Sequence, residues 1–174
     1  VLLDCGEPDR LGPELAGLLP QLDSVNIDHH LGGDGMGSRA NWVVTEAAAT
    51  AQLVAYLSMA ADLPLTGDLS LAVALGLITD TGGFCHGNTS AAVLALASHL
   101  VEMGCKLSWL REQLDNSWSL GRWRLWGLLM ENSRVEQNGQ VGFCQVSLED
   151  LRRCQALKED MEGFVEHLRR LRDV

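Results

Sequence analysis

The hydrophobic pattern opens with a short apolar run, Val1-Leu2-Leu3, that ends at Asp4, and a second run, Ser24-Val25-Asn26-Ile27, that ends at Asp28. Between them Gly12-Pro13 opens a helix to about Leu19. A strand-helix-strand unit of this kind implies a parallel pair of strands. Leu53, Val54 and Leu57 at helical spacing predict a helix from Glu46 to Ala61, stopped by Leu63-Pro64. Asp68 to Thr79 reads as another helix, apolar on nearly every side and therefore buried. Ser90 caps a helix from Ala91 to Met103 that Gly104 stops, Ser108 caps the next, and Leu120 to Met130 forms one more. Arg134 to Gln137 and Val141 to Val146 flank Asn138-Gly139, the strongest short hairpin signal. Ser147-Leu148-Glu149-Asp150 is a capping-box variant that starts a further helix. Glu162 to Arg172 carries Phe164, Val165, Leu168 and Leu171 on one face and reads as a connector helix.

Two parallel strands and a hairpin are too few to make the covered sheet that so many apolar helices need, so further strands are expected upstream. The chain starts without a methionine and inside an apolar strand, which reads as a fragment. The expected fold is α/β: a three-layer α/β/α domain with a mostly parallel sheet, of which this chain supplies the later part, plus a small hairpin and a C-terminal connector helix. Residues 1–132 are assigned to the main domain, 133–160 to the hairpin and short helix that complete it, and 161–174 to the connector.

Composition narrows the classes. With 174 residues, 47% of them hydrophobic and 21% charged, the chain has the make-up of a soluble globular protein, and no apolar run approaches the ~20 residues of a membrane-spanning helix. Asp62, Asp68 and Asp80 interrupt the most apolar stretch. Five cysteines, odd in number and never in a C-x-x-C pair, suggest neither a disulfide framework nor a zinc site and fit a reducing cytoplasm. A net charge of -10 argues against a surface for long duplex nucleic acid, which relies on many Lys and Arg contacts to phosphate.

Asp28-His29-His30 stands where the second strand runs out into the glycine-rich stretch from Leu31 to Gly37. In open α/β sheets that edge faces the crevice where ligands bind. Asp4, before Cys5-Gly6, and Asp80, before Thr81-Gly82-Gly83-Phe84, end apolar runs in the same way. Carboxylates with imidazole suit Mn²⁺ or Mg²⁺ better than Zn²⁺. Asp4, His29 and Asp80 are the metal-ligand candidates, while adjacent histidines at a strand end can divide labour, one on metal and one on a substrate oxygen. Asp28 could orient an imidazole as an acceptor behind it. Trp109, Trp118, Trp123 and Trp126, which could stack bases, are assigned to core packing by their helical spacing.

In order, VLLDCG, NIDHH and GLITDTGGF resemble the motifs of the DHH phosphoesterase superfamily. The text around them, TEAAATAQLV, GNTS, SLGRWRLWG and EDMEGFVEHLR, is most similar to the nanoRNase group of bifunctional oligoribonucleases and 3'-phosphoadenosine 5'-phosphate phosphatases. The resemblance implies a hydrolase with two Mn²⁺ ions, Mg²⁺ being an alternative. Asp4 would bridge both ions, His29 and Asp80 would bind the second, and His30 would face the scissile phosphate beside its neighbour Asp28. It also implies an upstream motif with a His and two Asp and a downstream substrate-binding domain, neither of them in this chain. Short single-stranded RNA or 3'-phosphoadenosine 5'-phosphate are the implied substrates, and a homodimer stays open. Where many relatives carry an arginine and an aromatic residue, this chain has Cys85-His86. RecJ-type exonucleases, cyclic-dinucleotide phosphodiesterases and manganese pyrophosphatases share the motifs, and a catalytically silent DHH-like module is the alternative of another class.

Overall fold

A computed structural model describes residues 1–33 and 35–172. It divides into two compact units, Val1–Leu114 and Asp115–Val174. The first holds strands β1 (Leu2–Leu3), β2 (Val25–Asp28) and β3 (Ala40–Val43) and helices α1 (Gly12–Leu18), α2 (Thr50–Ala60), α3 (Gly67–Asp80), α4 (Ala91–Glu102) and α5 (Leu107–Asp115), the last reaching the boundary. The second holds α6 (Leu120–Asn132), the hairpin β4 (Arg134–Glu136) and β5 (Val141–Phe143), α7 (Leu148–Cys154) and α8 (Phe164–Leu168). Among the described residues no single helix is long and apolar enough to cross a membrane.

The α/β fold expected from the sequence is present. β1 and β2 pair in parallel, Leu2 against Asn26 and Leu3 against Ile27, as the strand-helix-strand pattern requires. A third parallel strand, β3, pairs with β2 from Val25↔Ala40 to Asp28↔Val43 and was not legible. Its four residues are Ala, Asn, Trp and Val on a sheet edge, and the strand-favouring run Trp42-Val43-Val44 is too short to mark it. β2 thus lies at the centre of the sheet, which explains the burial of Asn26 and Asp28 within it.

Burial of apolar side chains from α2, α3, α4 and the α2–α3 connection makes the core of the first unit: Ala55, Leu65, Val73, Leu77, Val93, Leu96 and Leu100 are all closed to solvent. Each such leucine contributes about 1.5–3 kcal/mol relative to exposure. Helices α2 and α3 approach closely because a Cβ on Gly76 would lie 2.5 Å from the Cβ of Ala51. One expectation about α3 fails, since it is not buried all round: Ala72, Leu75 and Thr79 lie on an exposed face.

Other boundaries moved for local reasons. Helix α2 begins at Thr50, not Glu46; Ala49 before it is extended (φ -158°, ψ 150°), and Ala47 and Ala48 spend their backbone groups on tertiary partners. Tertiary bonds override the helix propensity of three alanines. Ser108 is not a cap, because α5 already starts at Leu107. Ser90 does cap α4 by accepting from Val93 N–H, and Ser147 with Asp150 closes a full capping box on α7. The hairpin pairs Glu136 with Val141 around a four-residue turn in which Gln137 and Asn138 both take left-handed backbone. The connector is shorter than expected: Glu159–Met161 is a separate 3-10 turn, α8 covers Phe164–Leu168, and Val165 faces solvent. Asp173 and Val174, the end of the 161–174 segment, lie outside the described residues. Of the four tryptophans assigned to core packing, Trp126 alone is buried, with Leu125, Leu129, Leu151, Cys154 and Phe164, while Trp109, Trp118 and Trp123 are exposed.

Gly76→Ala removes a flexible residue from a helix interior, which favours the helix by roughly 1 kcal/mol. Forcing a methyl group onto Ala51 Cβ costs about 1–3 kcal/mol, so the melting temperature should fall. The double variant Ala51→Gly/Gly76→Ala moves the methyl group to the other side of the contact and should recover part of the loss. A single variant as stable as the parent in thermal unfolding would contradict the close approach.

Candidate metal centre

Four elements deliver the site. Asp4 follows β1 in left-handed backbone (φ 59°), a conformation aspartate tolerates, and its N–H donates to Ile27 O at 3.1 Å. Asp28 is the last residue of β2 and leads directly into His29 and His30. Asp80 is the last residue of α3, so the third candidate arrives from a helix C-terminus. The segment between β3 and α2 supplies Ala47 and Thr50.

The candidate ligands come together. His29 Nε2 lies 3.4 Å from Asp4 Oδ1 and 3.5 Å from Asp80 Oδ2. His29 Nδ1 lies 3.1 Å from Ala47 O. A carbonyl oxygen only accepts, so Nδ1 carries the proton, and in the neutral ring Nε2 presents a lone pair to two carboxylate oxygens. His29 Nε2 thus stands within 3.5 Å of an oxygen of each of two carboxylates, whose like charges favour a cation beside them. Adjacent ligands of an octahedral ion with bonds near 2.1 Å stand about 3 Å apart, so the donor set fits a hard divalent ion such as Mn²⁺ or Mg²⁺ after small adjustments.

His30 is engaged differently. Its Nδ1 is 2.7 Å from Asp28 Oδ1 and 4.0 Å from Asp4 Oδ1, so the Nδ1 proton is committed to Asp28 and Nε2 is the nitrogen left for a ligand. Asp28 is buried behind it, 2% exposed against 36% for the ring. The potential ligand atoms of Asp4, His29 and His30 all fall within 4.8 Å of one another. Gly6 makes room for the pair, since a Cβ there would stand 3.3 Å from both Asp28 Oδ2 and His30 Cβ.

The two flanking carboxylates are held in opposite ways. Burial pushes the Asp28 carboxyl up, yet hydrogen bonds from the His30 ring and the backbone of His29 and His30 outweigh it and hold it below the usual carboxylate range. Burial, and then the negative charge of Asp4, pushes the Asp80 carboxyl above that range, against the opposing pull of His29 and the Thr79 hydroxyl. Like charge gathered beyond what the protein neutralises is a setting suited to a metal ion.

Three polar residues around the site were missed by reading the sequence. Thr50 donates from Oγ1 to Asp4 Oδ1 at 2.9 Å. Asn26, fully buried in β2, donates from Nδ2 to Cys5 O and accepts at Oδ1 from Met36 N–H, tying the loops after β1 and β2 together. Asn88 donates from Nδ2 to Ala48 O and Asp80 O. Only Asn26 left a signal, as an amide inside an apolar strand. At the position where many relatives differ, His86 is exposed with Nδ1 3.3 Å from Asp80 O, and Cys85 is an exposed free thiol.

No family model matches the chain. The bifunctional oligoribonuclease and PAP phosphatase NrnA of Thermus thermophilus is 36% identical to it over 116 residues, 66% of this chain and 34% of that protein. Over about two thirds of its length the chain is a homologue of this NrnA protein. The protein of the same name from Mycoplasma pneumoniae is 28% identical over 120 residues, covering 67% of this chain and 36% of that one. In fold, the chain matches the crystal structure of an exopolyphosphatase-related protein from Bacteroides fragilis with a TM-score of 0.88 and 24% identity, over 99% of this chain and 51% of the other. It therefore spans about a third of the length of the curated relatives it matches.

A carboxyl raised in the folded state costs stability wherever it is ionised, and the cost fades as the pH falls through the raised value toward 3.8, the ordinary value of the group. Asp80→Asn should therefore raise the metal-free melting temperature at neutral pH, by an amount that shrinks toward pH 3.8. The same substitution should diminish stabilisation by added Mn²⁺. A lower melting temperature for metal-free Asp80→Asn at pH 7 would contradict the crowding of negative charge.

Proposed function

We propose that this chain carries part of the active site of a Mn²⁺-dependent phosphoesterase that hydrolyses short oligoribonucleotides, 3'-phosphoadenosine 5'-phosphate, or both, in the cytoplasm. The observation that carries this reading is the meeting of Asp4, His29 and Asp80 beside the Asp28–His30 pair. The names of the NrnA homologues support the substrate class.

In this mechanism Asp4 would contact both ions, and His29 Nε2 and Asp80 would hold the second. When bound, such ions supply an activated water at neutral pH and neutralise charge that develops on phosphoryl oxygen. His29 keeps Nε2 available because Nδ1 is spent on Ala47 O. His30 binds a phosphoryl oxygen through Nε2, the nitrogen that Asp28 leaves free, and Asp28 fixes the ring against rotation. With a net charge of -10 the chain offers no extended basic track, so recognition concentrates on one terminal phosphodiester and one or two nucleotides.

The test is kcat/KM of the natural full gene product on a dinucleotide, a short oligomer and a long single strand, with Mn²⁺, alongside 3'-phosphoadenosine 5'-phosphate. Hydrolysis should be fastest on the shortest RNA. Asp4→Asn should reduce kcat by about 10²-fold or more while leaving the fold intact, since loss of a group that stabilises transition-state charge costs on that scale. Faster cleavage of the long strand would move the assignment to a RecJ-type exonuclease. Wild-type kcat in Asp4→Asn at saturating Mn²⁺ would remove Asp4 from the mechanism.

A further inference from the structure

The turn that leads into α2 touches two of the candidate ligands, His29 and Asp4, and reaches the third, Asp80, through Asn88. Ala47 O accepts the Nδ1 proton of His29 at 3.1 Å, and the Thr50 hydroxyl donates to Asp4 Oδ1 at 2.9 Å. Ala48 O accepts from Asn88 Nδ2 at 3.2 Å, and the same amide donates to Asp80 O at 3.1 Å. The turn is itself pinned: Val44 N–H donates to Asp28 O, Ala47 N–H to Val44 O, and Ala48 N–H to Gln52 Oε1 at 2.9 Å. Gln52 Nε2 in turn donates to the Tyr56 hydroxyl. Ala48, Ala49 and Thr50 are buried, so the turn is anchored in the core and not free to follow the ligands.

Building on the metal reading above, we propose that Ala47–Thr50 is the positioning frame of the metal centre, with Thr50 and Asn88 as its positioning residues. The Asp4 side chain is 55% exposed, so packing alone does little to select its rotamer. The Thr50 hydroxyl supplies that selection by engaging Oδ1, the oxygen that also lies 3.4 Å from His29 Nε2. Asn88 acts on the third ligand: by bridging Ala48 O and Asp80 O it ties the end of α3 to the same turn that holds His29. A hydrogen-bonding partner behind a ligand pre-orders it before the ion arrives, and loss of one such partner typically weakens metal binding by about 10–100-fold. The frame also accounts for the extended backbone at Ala49, because a helix running back to Glu46 would draw the Ala47 and Ala48 carbonyls into its own ladder.

The experiment is Mn²⁺ binding to the natural full gene product, followed by calorimetric titration and by the electron paramagnetic resonance signal of free Mn²⁺, with circular dichroism to establish folding. Thr50→Val keeps the shape and removes the hydroxyl, and should weaken Mn²⁺ binding by roughly tenfold or more. Thr50→Ser restores the hydroxyl without the methyl group and should bind close to the parent. Asn88→Ala, a truncation of an exposed loop side chain, should weaken binding in the same direction and serves if Thr50→Val does not fold. Parent-like affinity in folded Thr50→Val, or a Thr50→Ser variant as weak as Thr50→Val, would overturn the frame. Failure of the unmodified gene product to bind Mn²⁺ at all would instead overturn the metal reading beneath it, and the frame with it.

Discussion

The hydrogen bond between His29 Nδ1 and the Ala47 carbonyl governs the chemistry around it. Because the carbonyl can only accept, the ring proton is held on the side away from the carboxylates, and the lone pair of Nε2 is turned toward Asp4 and Asp80. A ring free to flip or to exchange tautomers would be able to present N–H to a carboxylate and form an ordinary hydrogen bond. The bond to Ala47 instead directs Nε2 toward the two carboxylates. The neighbouring histidine has the opposite partner, a buried carboxylate on Nδ1, so two adjacent identical side chains acquire different duties from what lies behind them.

That arrangement asks much of a sheet of three short strands. The central strand buries an amide and a carboxylate where apolar side chains would be cheaper, and each is compensated: Asn26 by Cys5 O and Met36 N–H, Asp28 by the His30 ring. The packing of α2 on α3 at Ala51 and Gly76 then joins the helix that begins at Thr50 to the helix that ends at Asp80. Core contacts and site geometry share the same two helices, so a change in one is felt in the other.

The motif positions were legible because they sit at transitions that the hydrophobic pattern marks: Asp4, His29 and Asp80 stand at the ends of apolar runs, and the structure sets His29 Nε2 3.4 Å from Asp4 Oδ1 and 3.5 Å from Asp80 Oδ2. Helix caps at Ser90 and Ser147 were readable for a similar reason, since a hydroxyl accepting from a backbone N–H needs only local sequence. What escaped was set by distant partners. β3 exists because β2 offers it a ladder, and its strand-favouring Trp42 and Val43 stand in too short a run to announce it. Ala47 to Ala49 read as helix by propensity and were pulled out of it by His29, Asn88 and Gln52. Helical spacing placed Trp126 correctly in a core but could not distinguish it from Trp118 and Trp123, whose exposure depends on where the neighbouring elements end.

The two hydrophobic clusters have a thermodynamic consequence. One is built from residues between Ala48 and Cys105, the other from residues between Leu125 and Phe164, and among the described residues the two share no member. Cooperativity in unfolding comes from burial, so each unit holds the ingredients of a transition of its own. An ion bound by Asp4, His29 and Asp80 touches only the unit up to Leu114. By mass action it stabilises the state that binds it. Heat capacity recorded against Mn²⁺ concentration thus becomes a map of the molecule: the peak that migrates belongs to the unit that owns the site.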